Sequence, residues 1–450
     1  MALKGADIMK KLPKTNCKEC GYATCFAFAM KLATGGAKLE DCPHISPESK
    51  VELEAALAPP MKLVTIGTGE NALVLGEEEV MFRHEKTFFH ETGIGILVSD
   101  KEADADIEAK INKIKGFHFD RIGIKLKINL LALSYESGDK AKYEALVKKA
   151  CELTDFPLVL VCCDTEVLFS AAALCSDRKP LLYPITGENV AAAIPKLKEL
   201  GAPAGVFAPS IEELLPVTTA LKDAGIDEMI IDPGSKNMLQ GIKDQTLIRR
   251  STLKKGLRSL GYPTITFPCL MYQDKFKEIL AASALMTRYA GITVLSQADE
   301  HFLLPLLVYR FNIYSDPRRP MTVEEKAYEV LKPDEGSPIL ISTNYALDYF
   351  IVSGAIEEAG IPAYLCIKNT DGLGVMAAWT SGKFNGEAIA EFMQKYEIDK
   401  KVKHRKLIIP GVAKKLKEEL EEELPGWQII LGPQEASDIP KFLSEEWKAQ

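Results

Sequence analysis

Four cysteines near the amino terminus are the residues whose type and spacing most clearly predict chemistry. Cys17, Cys20, Cys25 and Cys42 form the pattern C-x2-C-x4-C-x16-C, and Pro43 follows the last of them. Four thiolates satisfy either a zinc ion or an iron–sulfur cluster. Structural zinc sites usually pair two C-x2-C motifs, whereas the second half of this pattern is not such a motif. The spacing therefore favours an iron–sulfur cluster, with zinc as the alternative and simple buried thiols as a weaker one.

The other six cysteines lie in or beside apolar segments. They are Cys151, Cys162, Cys163, Cys175, Cys269 and Cys366. Cysteines in such surroundings usually behave as small apolar side chains. We predict that these six are buried, inert thiols.

A second group of candidate residues follows apolar runs in the last third of the chain. The segments 342–346, 369–375, 410–413 and 432–434 are small, polar or glycine-rich. Ligands of parallel sheets bind outside the carboxyl ends of the strands, where these segments would lie. Taken alone, the segments fit ordinary turns and helix caps better than a binding site. The lack of a G-x-G-x-x-G after the first run and of a Walker A motif argues against dinucleotides and nucleoside triphosphates.

The elements that must position these residues fall into three regions, of which the first is small. Residues 1–60 carry short helical patterns around the four cysteines and end at Ala58-Pro59-Pro60. A segment of this size buries too little apolar surface to be stable alone. A metal centre would supply the missing stability.

The second region, residues 61–325, alternates apolar β-branched runs with amphipathic helical patterns. The runs are 95–99, 158–161, 181–184, 205–208, 229–232, 264–267 and 292–295, with 122–133 counted as one more. Fully apolar strands are typical of parallel sheets, and about eight such units fit a (β/α)8 TIM barrel better than an open sheet.

The third region, residues 326–450, follows the turn and linker signals of 317–320 and 332–338. It contains four more apolar runs, 339–342, 363–367, 406–409 and 427–431, each followed by a turn and a helical pattern. This arrangement predicts a doubly wound, Rossmann-like α/β domain. The chain as a whole is therefore expected to belong to the α/β class.

The composition of the chain limits the classes of binding partner and the cellular location that we expect. The 450 residues include 55 basic and 63 acidic side chains, for a formal charge of −8, and no dense basic run that would follow a phosphate backbone. No apolar stretch approaches the roughly 18 residues that a membrane helix needs. We expect a cytoplasmic protein that binds neither nucleic acid nor membrane.

The sequence around the four cysteines resembles a known iron–sulfur module. Residues 15–29, TNCKECGYATCFAFA, and Asp41-Cys42-Pro43 are similar to the small four-cysteine domain of anaerobic redox proteins. The resemblance implies a 4Fe-4S cluster bound by Cys17, Cys20, Cys25 and Cys42. Since all four ligands would be protein thiolates, it also implies electron transfer at this cluster, with no open iron for catalysis.

A resemblance to one family extends over the full chain. The order of a four-cysteine module, a barrel and a C-terminal α/β domain is similar to the large (gamma) subunit of corrinoid iron–sulfur proteins of the acetyl-CoA, or Wood–Ljungdahl, pathway. In that family the C-terminal domain holds a cobamide. The residues of this chain that match its binding edges are Thr343, Asn344, Tyr345, Ala346, Thr370, Asp371, Gly372, Leu373, Gly374, Gly411, Gly432 and Pro433.

The histidines bear on how the cobalt of such a cobamide would be held. Many corrinoid proteins supply a histidine from a D-x-H-x-x-G motif, and none of the six histidines of this chain lies in one. His404, in Lys403-His404-Arg405, precedes a predicted strand and so falls at the wrong end for the pocket. The resemblance therefore implies a base-off cobamide without a protein ligand, which makes Co(II) easier to reduce.

The resemblance also implies an activity and a set of partners. The protein would be a methyl carrier and methyltransferase component that accepts a methyl group from methyltetrahydrofolate on Co(I), through a separate methyltransferase. It would deliver this group to the nickel site of acetyl-CoA synthase/CO dehydrogenase. The 4Fe-4S cluster would take electrons from a ferredoxin-type donor and restore Co(II) to Co(I). A smaller barrel-shaped subunit would complete a heterodimer.

Three other interpretations remain open. Ile231-Asp232-Pro233-Gly234 is similar to a motif of pterin-binding barrels, although Asp-Pro-Gly is also a common turn. The chain is alternatively an iron–sulfur electron carrier or redox scaffold without a corrinoid. A zinc-stabilised barrel enzyme is the third possibility, and it predicts a colourless protein with one zinc per chain.

Overall fold

The computed structural model describes residues 5–34, 36–57, 59–121 and 124–447. The described residues divide into two compact units, one within Met1–His118 and Lys127–Tyr314, the other within Phe119–Leu126 and Ser315–Gln450. Among the described residues, no helix is both long and apolar enough to cross a membrane.

The amino-terminal segment of the first unit folds around its own small core. Its helices are α1 (Gly5–Lys11), α2 (Cys25–Ala33) and α3 (Pro47–Leu57). The buried side chains of this core are Ile8, Leu12, Cys25, Phe28, Ala29, Leu32, Leu39, Cys42 and Leu53. Two of the four candidate ligands are thus part of the core itself. Ala58 of the predicted helix-ending Ala-Pro-Pro lies outside the described residues.

A short antiparallel hairpin precedes the barrel and was not predicted. Its strands are β1 (Val64–Ile66) and β2 (Leu73–Leu75). The inward side chains of both strands pack in one cluster with barrel residues such as Leu130 and Val159. An added Cβ on Gly93, at the start of the first barrel strand, would lie 2.5 Å from Leu73 Cδ2, so this glycine makes room for the hairpin.

The predicted barrel is confirmed as a nearly closed barrel of eight parallel strands. In chain order the strands of residues 93–295 are β3 (Gly93–Ser99), β4 (His118–Arg121), β5 (Ile124–Lys127), β6 (Leu130–Ser134), β7 (Leu158–Val161), β8 (Leu181–Ile185), β9 (Ala204–Phe207), β10 (Met229–Asp232), β11 (Ile265–Thr266) and β12 (Ile292–Leu295), of which β4 and β5 lie mainly in the second unit. The barrel order is β10-β9-β8-β7-β6-β3-β12-β11, and a parallel bridge between Ile231 and Thr264 joins the two ends.

Helices follow the barrel strands and cover them. They are α4 (Asp104–Gly116), α5 (Lys140–Leu153), α6 (Thr165–Ala173), α7 (Val190–Leu200), α8 (Ile211–Asp223), α9 (Met238–Lys255), α10 (Pro268–Met271), α11 (Lys275–Thr287) and α12 (Glu300–Tyr314). This is the repeated strand–helix order of a (β/α)8 architecture.

One predicted strand is wrong in its extent. The run 122–133 is two strands, of which only β6 belongs to the barrel, while β4 and β5 form a separate two-stranded sheet. Asn129 lies between β5 and β6, and its side chain accepts a hydrogen bond from the amide of Ile94. Ile122 and Gly123 lie outside the described residues.

The second unit is built on a five-stranded sheet. Its strands are β13 (Lys326–Val330), β14 (Ile339–Thr343), β15 (Ala363–Lys368), β16 (Lys406–Ile409) and β17 (Gln428–Leu431), in the order β13-β15-β14-β16-β17. Its helices are α13 (Ala346–Ala359), α14 (Val375–Thr380), α15 (Gly386–Lys395), α16 (Ile398–Lys401), α17 (Leu416–Glu423) and α18 (Ile439–Phe442). Strand β13, which was not predicted, is antiparallel to β15, and the other neighbours are parallel.

Alternate residues of the central strand face two different apolar clusters. Ile339 and Ile341 pack with residues of α15 and α17, whereas Leu340 packs with residues of α13 and α18. Both faces of the sheet are therefore covered, which explains why β14 is buried at every position.

Candidate cluster ligands and a candidate ligand cavity

The loop between α1 and α2 brings the first three cysteines towards the small amino-terminal core. Cys25 is the first residue of α2, whose N-cap Thr24 accepts a hydrogen bond from the amide of Ala27. The Asn16 side chain accepts a hydrogen bond from the Cys25 amide at 2.8 Å, and the Asn16 amide donates to Cys25 Sγ at 3.4 Å. These bonds fix the start of the helix against the loop that carries Cys17 and Cys20.

Cys42 completes the group from the other side of the core. It follows a short 3-10 turn at Leu39–Asp41 and is buried. Burial raises the pKa of its thiol, and the charges of Cys20, Cys25 and Cys17 raise it further, while a backbone hydrogen bond from His44 opposes the shift. Cys25 and Cys42 are thus buried in the same small core, and Cys20 packs against it.

The spacing of the four sulfur atoms distinguishes two kinds of metal centre. A tetrahedral zinc site with Zn–S bonds of about 2.3 Å holds its sulfur atoms roughly 4 Å apart. Among the described residues, the one cluster of three or more ligand atoms within 4.8 Å of one another is Cys17, Glu19 and His44, so no three of the four cysteine sulfurs are that close. The four thiols are therefore not gathered at the spacing of a tetrahedral zinc site.

The edge of this site is partly open. Cys17 is exposed and Cys20 is half-buried, whereas Cys25 and Cys42 are buried. An electron could therefore enter on the Cys17 side without passing through the core.

A cavity of about 660 Å³ lies at the carboxyl ends of β14, β16 and β17. The order of strands reverses between β14 and β16, because β14 is followed in the chain by β15 on one side and β16 on the other. Such switch points are where ligands bind in open α/β sheets. The lining residues are Leu340, Ile341, Ser342, Asp348, Ile351, Val352, Gly374, Val375, Met376, Ala377, Ile408, Ile409, Pro410, Val412, Gly432, Pro433, Gln434, Glu435, Ala436, Ser437 and Ile439.

The walls of the cavity are mainly apolar and carry two acidic groups. Asp348 and Glu435 are the charged lining residues, and no lysine, arginine, histidine or cysteine is among the described residues that line it. Ile351, Met376 and Val412 line it and are each nearly half exposed. The cavity therefore suits a large, largely apolar ligand whose part inside the cavity carries no negative charge.

Asp348 is the most constrained polar group of the lining. Thr343 Oγ1 donates a hydrogen bond to Asp348 Oδ2 at 3.2 Å. Burial raises the pKa of this carboxyl, and the bonds from Thr343 and from the Val375 amide oppose the shift. A half-buried carboxylate without a cation beside it in the lining is suited to accept hydrogen bonds from a ligand.

The twelve residues matched to the family's binding edges divide into two groups in the structure. Gly374, Gly432 and Pro433 line the cavity. The other nine lie close to it in the chain but are not among its lining residues: Thr343, Asn344, Tyr345, Ala346, Thr370, Asp371, Gly372, Leu373 and Gly411.

Several of these nine hold the loops that shape the cavity. Asn344 is buried, and its Oδ1 accepts hydrogen bonds from the amide and hydroxyl of Thr370 and from the amide of Gly372, at 2.9 to 3.0 Å. Asp371 is exposed and pairs with Lys383. A Cβ on Gly411 would lie 2.4 Å from the carbonyl oxygen of Pro433, so only glycine allows these two loops to meet.

Sequence reasoning missed most of the walls. Ser342 lies in the candidate segment 342–346, although it is not among the twelve residues matched to the family's binding edges. Asp348, Ile351 and Met376 lie on helices, where polarity and spacing alone do not show which face borders a cavity.

His404 lies away from the cavity, as its place in the sequence indicates. Its Nε2 is 2.9 Å from the carbonyl oxygen of Ser337, and its Nδ1 accepts a hydrogen bond from the amide of Lys406. Both partners stand before or at the start of a strand, at the end of the sheet opposite to the cavity.

The pterin-like motif of the barrel is engaged within the protein. Asp232 ends β10, is buried, and accepts hydrogen bonds from Tyr183 Oη at 2.7 Å and from the Gly234 amide at 2.9 Å. Burial raises the pKa of this carboxyl to about 6, against the opposing effect of those two bonds. The Tyr183 ring also contacts Phe207 and Phe267, so aromatic side chains fill this part of the barrel mouth.

Comparison with known proteins gives matches over almost the whole chain. A family profile described as CO dehydrogenase/acetyl-CoA synthase delta subunit matches residues 63–443, and one described as putative Fe-S cluster matches residues 12–44. The chain is 42% identical over 442 residues to the corrinoid/iron-sulfur protein large subunit of Moorella thermoacetica, covering 98% of each chain.

Archaeal proteins match over similar lengths. Acetyl-CoA decarbonylase/synthase complex subunit gamma of Methanopyrus kandleri is 36% identical, with 99% of this chain and 98% of that one covered. The corresponding subunit of Methanothermobacter thermautotrophicus is 32% identical, with 99% of each covered. A truncated 3-deoxy-D-arabino-heptulosonate 7-phosphate synthase of Thermotoga maritima aligns with a TM-score of 0.40 at 12% identity, over 56% of this chain and 92% of that chain, a likeness too low to support a conclusion.

Proposed function

Because the chain belongs to the family of corrinoid/iron–sulfur protein large subunits of the acetyl-CoA synthase system, we propose that it carries methyl groups on a cobamide bound in its C-terminal unit. The methyl group would come from methyltetrahydrofolate through a separate methyltransferase and would go to the nickel site of acetyl-CoA synthase/CO dehydrogenase. When bound, the cobamide supplies a Co(I) nucleophile that takes up the methyl group and later releases it.

The observation that carries this proposal is the cavity at the strand-order switch between β14 and β16. Its volume of about 660 Å³ is within the range of small-molecule sites. The apolar rim of Ile351, Met376 and Val412 would cover the hydrocarbon surface of a macrocycle, and Asp348 and Ser342 would accept hydrogen bonds from its amide groups. On this basis residues 326–450 form a doubly wound, Rossmann-like corrinoid-binding domain.

The chemistry of the lining also bears on the axial ligand of the cobalt. The described lining residues offer no imidazole, thiol or amine to the metal. The protein would therefore hold the cobamide base-off without a protein ligand. A cobalt that lacks a strong axial donor is more easily reduced to Co(I).

The amino-terminal site, within a domain of residues 1–60, would serve the same cofactor by electron transfer. Cys17, Cys20, Cys25 and Cys42 would bind a 4Fe-4S cluster that takes electrons from a ferredoxin-type donor and returns Co(II) to Co(I). The exposed Cys17 side gives that donor access. The barrel, residues 61–325, would be the scaffold that pairs with the small subunit in a heterodimer.

The first test is an anaerobic absorption spectrum with metal analysis on protein purified from its native host. We expect about four irons and one cobalt per chain, with corrinoid bands that shift on reduction. Iron without cobalt would overturn the corrinoid proposal and favour an electron carrier. One zinc per colourless chain would overturn both cofactors.

A pair of variants tests whether the cavity is the cobamide site. Ile351→Arg places a charge in the lining and should lower the cobalt retained per chain while leaving the iron content unchanged. The control is Leu280→Arg on α11, since Ile351 and Leu280 are 48% and 49% exposed and only Ile351 lines the cavity. Equal cobalt in both variants would contradict the assignment of this cavity.

A further inference from the structure

The loop that carries Cys17 is exposed at every position from Lys14 to Lys18. Among the described residues, no acidic side chain lies within ion-pair distance of either lysine. The next acidic residue along the chain, Glu19, has its Oε2 2.9 Å from His44 Nε2. The loop therefore presents unpaired positive charge beside the candidate ligand Cys17.

The amino-terminal segment is basic in a chain that is acidic as a whole. Residues 1–34 contain six lysines and two acidic side chains, whereas the formal charge of the chain is −8. Positive charge is thus concentrated around the candidate cluster ligands. A local excess of one sign of charge raises the rate at which an oppositely charged molecule associates.

Both lysines of the loop have an unfavourable backbone conformation. The φ angles of Lys14 and Lys18 are 61° and 67°, in the left-handed region that glycine and asparagine adopt most easily. A lysine at such a position lowers the stability of the loop, so the fold alone does not explain these two side chains. Unfavourable backbone conformations of this kind cluster at functional sites.

Two apolar side chains of α2 lie near the loop. Phe26 and Met30 are 51% and 46% exposed, and they are one helical turn apart, so they share a face of the helix. The hydrogen bonds between Asn16 and Cys25 join the middle of the loop to the start of α2, one residue before Phe26.

The loop and the helix face together form one surface. Lys14 and Lys18 are each two residues from Asn16, so their Cα atoms lie within about 7.6 Å of the Asn16 Cα. This surface, which we call the cysteine-loop surface, consists of Lys14, Cys17, Lys18, Phe26 and Met30.

The cysteines outside the amino-terminal segment have different surroundings. Burial raises the pKa values of Cys162, Cys269 and Cys366 to about 12, which agrees with the prediction of inert thiols. The prediction of burial is wrong for Cys163, which is exposed. Cys163 is followed in the chain by the acidic Asp164, whereas Cys17 is followed by a lysine.

On the basis of the proposed electron-transfer role of the four cysteines, we propose that the cysteine-loop surface is the docking site of an electron-donor protein whose own redox centre is surrounded by acidic side chains. Opposite charges attract and orient this donor, and Phe26 and Met30 contact it. One electron leaves the reduced centre of the donor and enters the site of the four cysteines. The donor is oxidised by one electron, the four-cysteine site is reduced by one, and no bond or proton is transferred.

The size of the surface fits a transient contact. Electron-transfer complexes are weak and bury less than about 1,200 Å² in total, so a patch of a few side chains is sufficient. The donor must leave after each electron, and charge attraction at an exposed surface permits rapid association without tight binding. The exposed Cys17 within the patch lets the donor come close to the candidate cluster.

The experiment is anaerobic stopped-flow reduction of the full holoprotein by an acidic two-cluster bacterial ferredoxin at increasing salt concentration. We expect the second-order rate constant to fall about tenfold between roughly 10 and 300 mM salt, because salt screens the attraction. Lys14→Glu/Lys18→Glu should lower this rate constant by about the same factor at low salt and remove most of its salt dependence. Phe26→Ser should lower it at every salt concentration, since it removes apolar contact and no charge.

The matched control is Lys254→Glu/Lys255→Glu, which makes the same change of charge at two exposed lysines of α9. This control should keep the rate constant of the unaltered protein. A small uncharged reductant, a photoreduced deazaflavin, should reduce all variants at one rate, which separates docking from changes in the site itself.

The outcomes distinguish the docking surface from the proposed electron transfer. Equal ferredoxin rates in the two double variants, or a rate constant that does not fall with salt, would overturn the docking surface alone. So would a loss of rate in Lys14→Glu/Lys18→Glu that is as large with the deazaflavin as with ferredoxin. A four-cysteine site that holds no iron, or that neither reductant reduces, would overturn both.

Discussion

Asp232 shows how a buried carboxyl can resemble a binding residue and still be satisfied within the protein. Its two hydrogen bonds come from Tyr183 and Gly234, and its pKa is raised to about 6 by burial. Since the pKa of Asp232 in the folded protein is above its ordinary value of 3.8, the folded protein binds more protons than the unfolded chain between these two pH values. This group therefore favours folding at low pH, and the contribution is lost as pH rises from about 4 to about 6.

Replacing Asp232 by Asn should remove this pH dependence. A pKa shift of about 2 pH units corresponds to about 3 kcal/mol of unfolding free energy. Above pH 6 the free energy of unfolding of Asp232→Asn should therefore exceed that of the unaltered protein by up to this amount. The measurement is the urea midpoint of barrel unfolding at several pH values from about 4 to about 7. Asp223→Asn, an exposed change on α8, is the control and should leave the curve as it was.

The same variant addresses the pterin interpretation. If Asp232 has only this structural role, Asp232→Asn should keep the rate of methyl transfer that depends on the separate methyltransferase. Methylation by methyltetrahydrofolate without that enzyme, lost in Asp232→Asn, would contradict this and favour a pterin site.

Asn344 illustrates a residue whose position was predictable and whose partners were not. Its place after β14 follows from the sequence, but its three hydrogen-bond donors come from Thr370 and Gly372 on the loop after β15. Which loops form hydrogen bonds with each other depends on the order of the strands in the sheet. This order cannot be read directly from a single sequence.

Removal of the Asn344 side chain should destabilise the second unit. Asn344→Ala leaves the amides of Thr370 and Gly372 without their acceptor, at a cost of about 2–4 kcal/mol. The check is urea unfolding followed by tryptophan fluorescence, since Trp379 and Trp427 both lie in this unit. Asp371→Asn is the matched control, because it breaks only an exposed ion pair in the same loop and should change the stability by less than about 0.5 kcal/mol. Equal effects would refute the role given to Asn344.

At the scale of elements, fully buried strands were the easiest to predict. The bounds of β7, β10, β12 and β16 coincide with the predicted runs, because strands covered on both faces form short, mainly apolar runs. The edge strand β13 and the hairpin strands β1 and β2 were missed. In β1 and β2 two buried residues flank one partly exposed residue, and in β13 only the last of five residues is buried; such patterns are too short or too polar to separate from a loop.

The hairpin of β1 and β2 should contribute to the stability of the barrel. Ile66 is fully buried among barrel residues, so Ile66→Ala should lower the free energy of unfolding of the first unit by about 2–5 kcal/mol. Val74, in the facing strand, is only half-buried, and Val74→Ala should have a clearly smaller effect. If both variants unfold at the same urea concentration, the burial of Ile66 in the hairpin does not stabilise the barrel.

At the scale of the whole molecule, the amino-terminal segment contrasts with the rest of the chain. Its core contains nine buried side chains, including Cys25 and Cys42, whereas the barrel and the five-stranded sheet have larger apolar clusters. Lys14, Asn16 and Lys18, in the loop that carries the first cysteines, have φ angles between 53° and 67°. This left-handed conformation costs each residue other than glycine about 1 kcal/mol or more.

A small core and a strained loop predict that this segment depends on the proposed cluster for its fold. Anaerobic removal of iron with a chelator should increase amide hydrogen exchange throughout residues 5–57, because the four thiolates would then lose the centre that joins α2 to the Cys42 turn. Exchange in the barrel strands and in β14 to β17 should stay unchanged, since their apolar cores contain none of the four ligands. Protection of residues 5–57 that survives complete loss of iron would mean that the apolar core alone stabilises the segment, and that the cysteines serve electron transfer only.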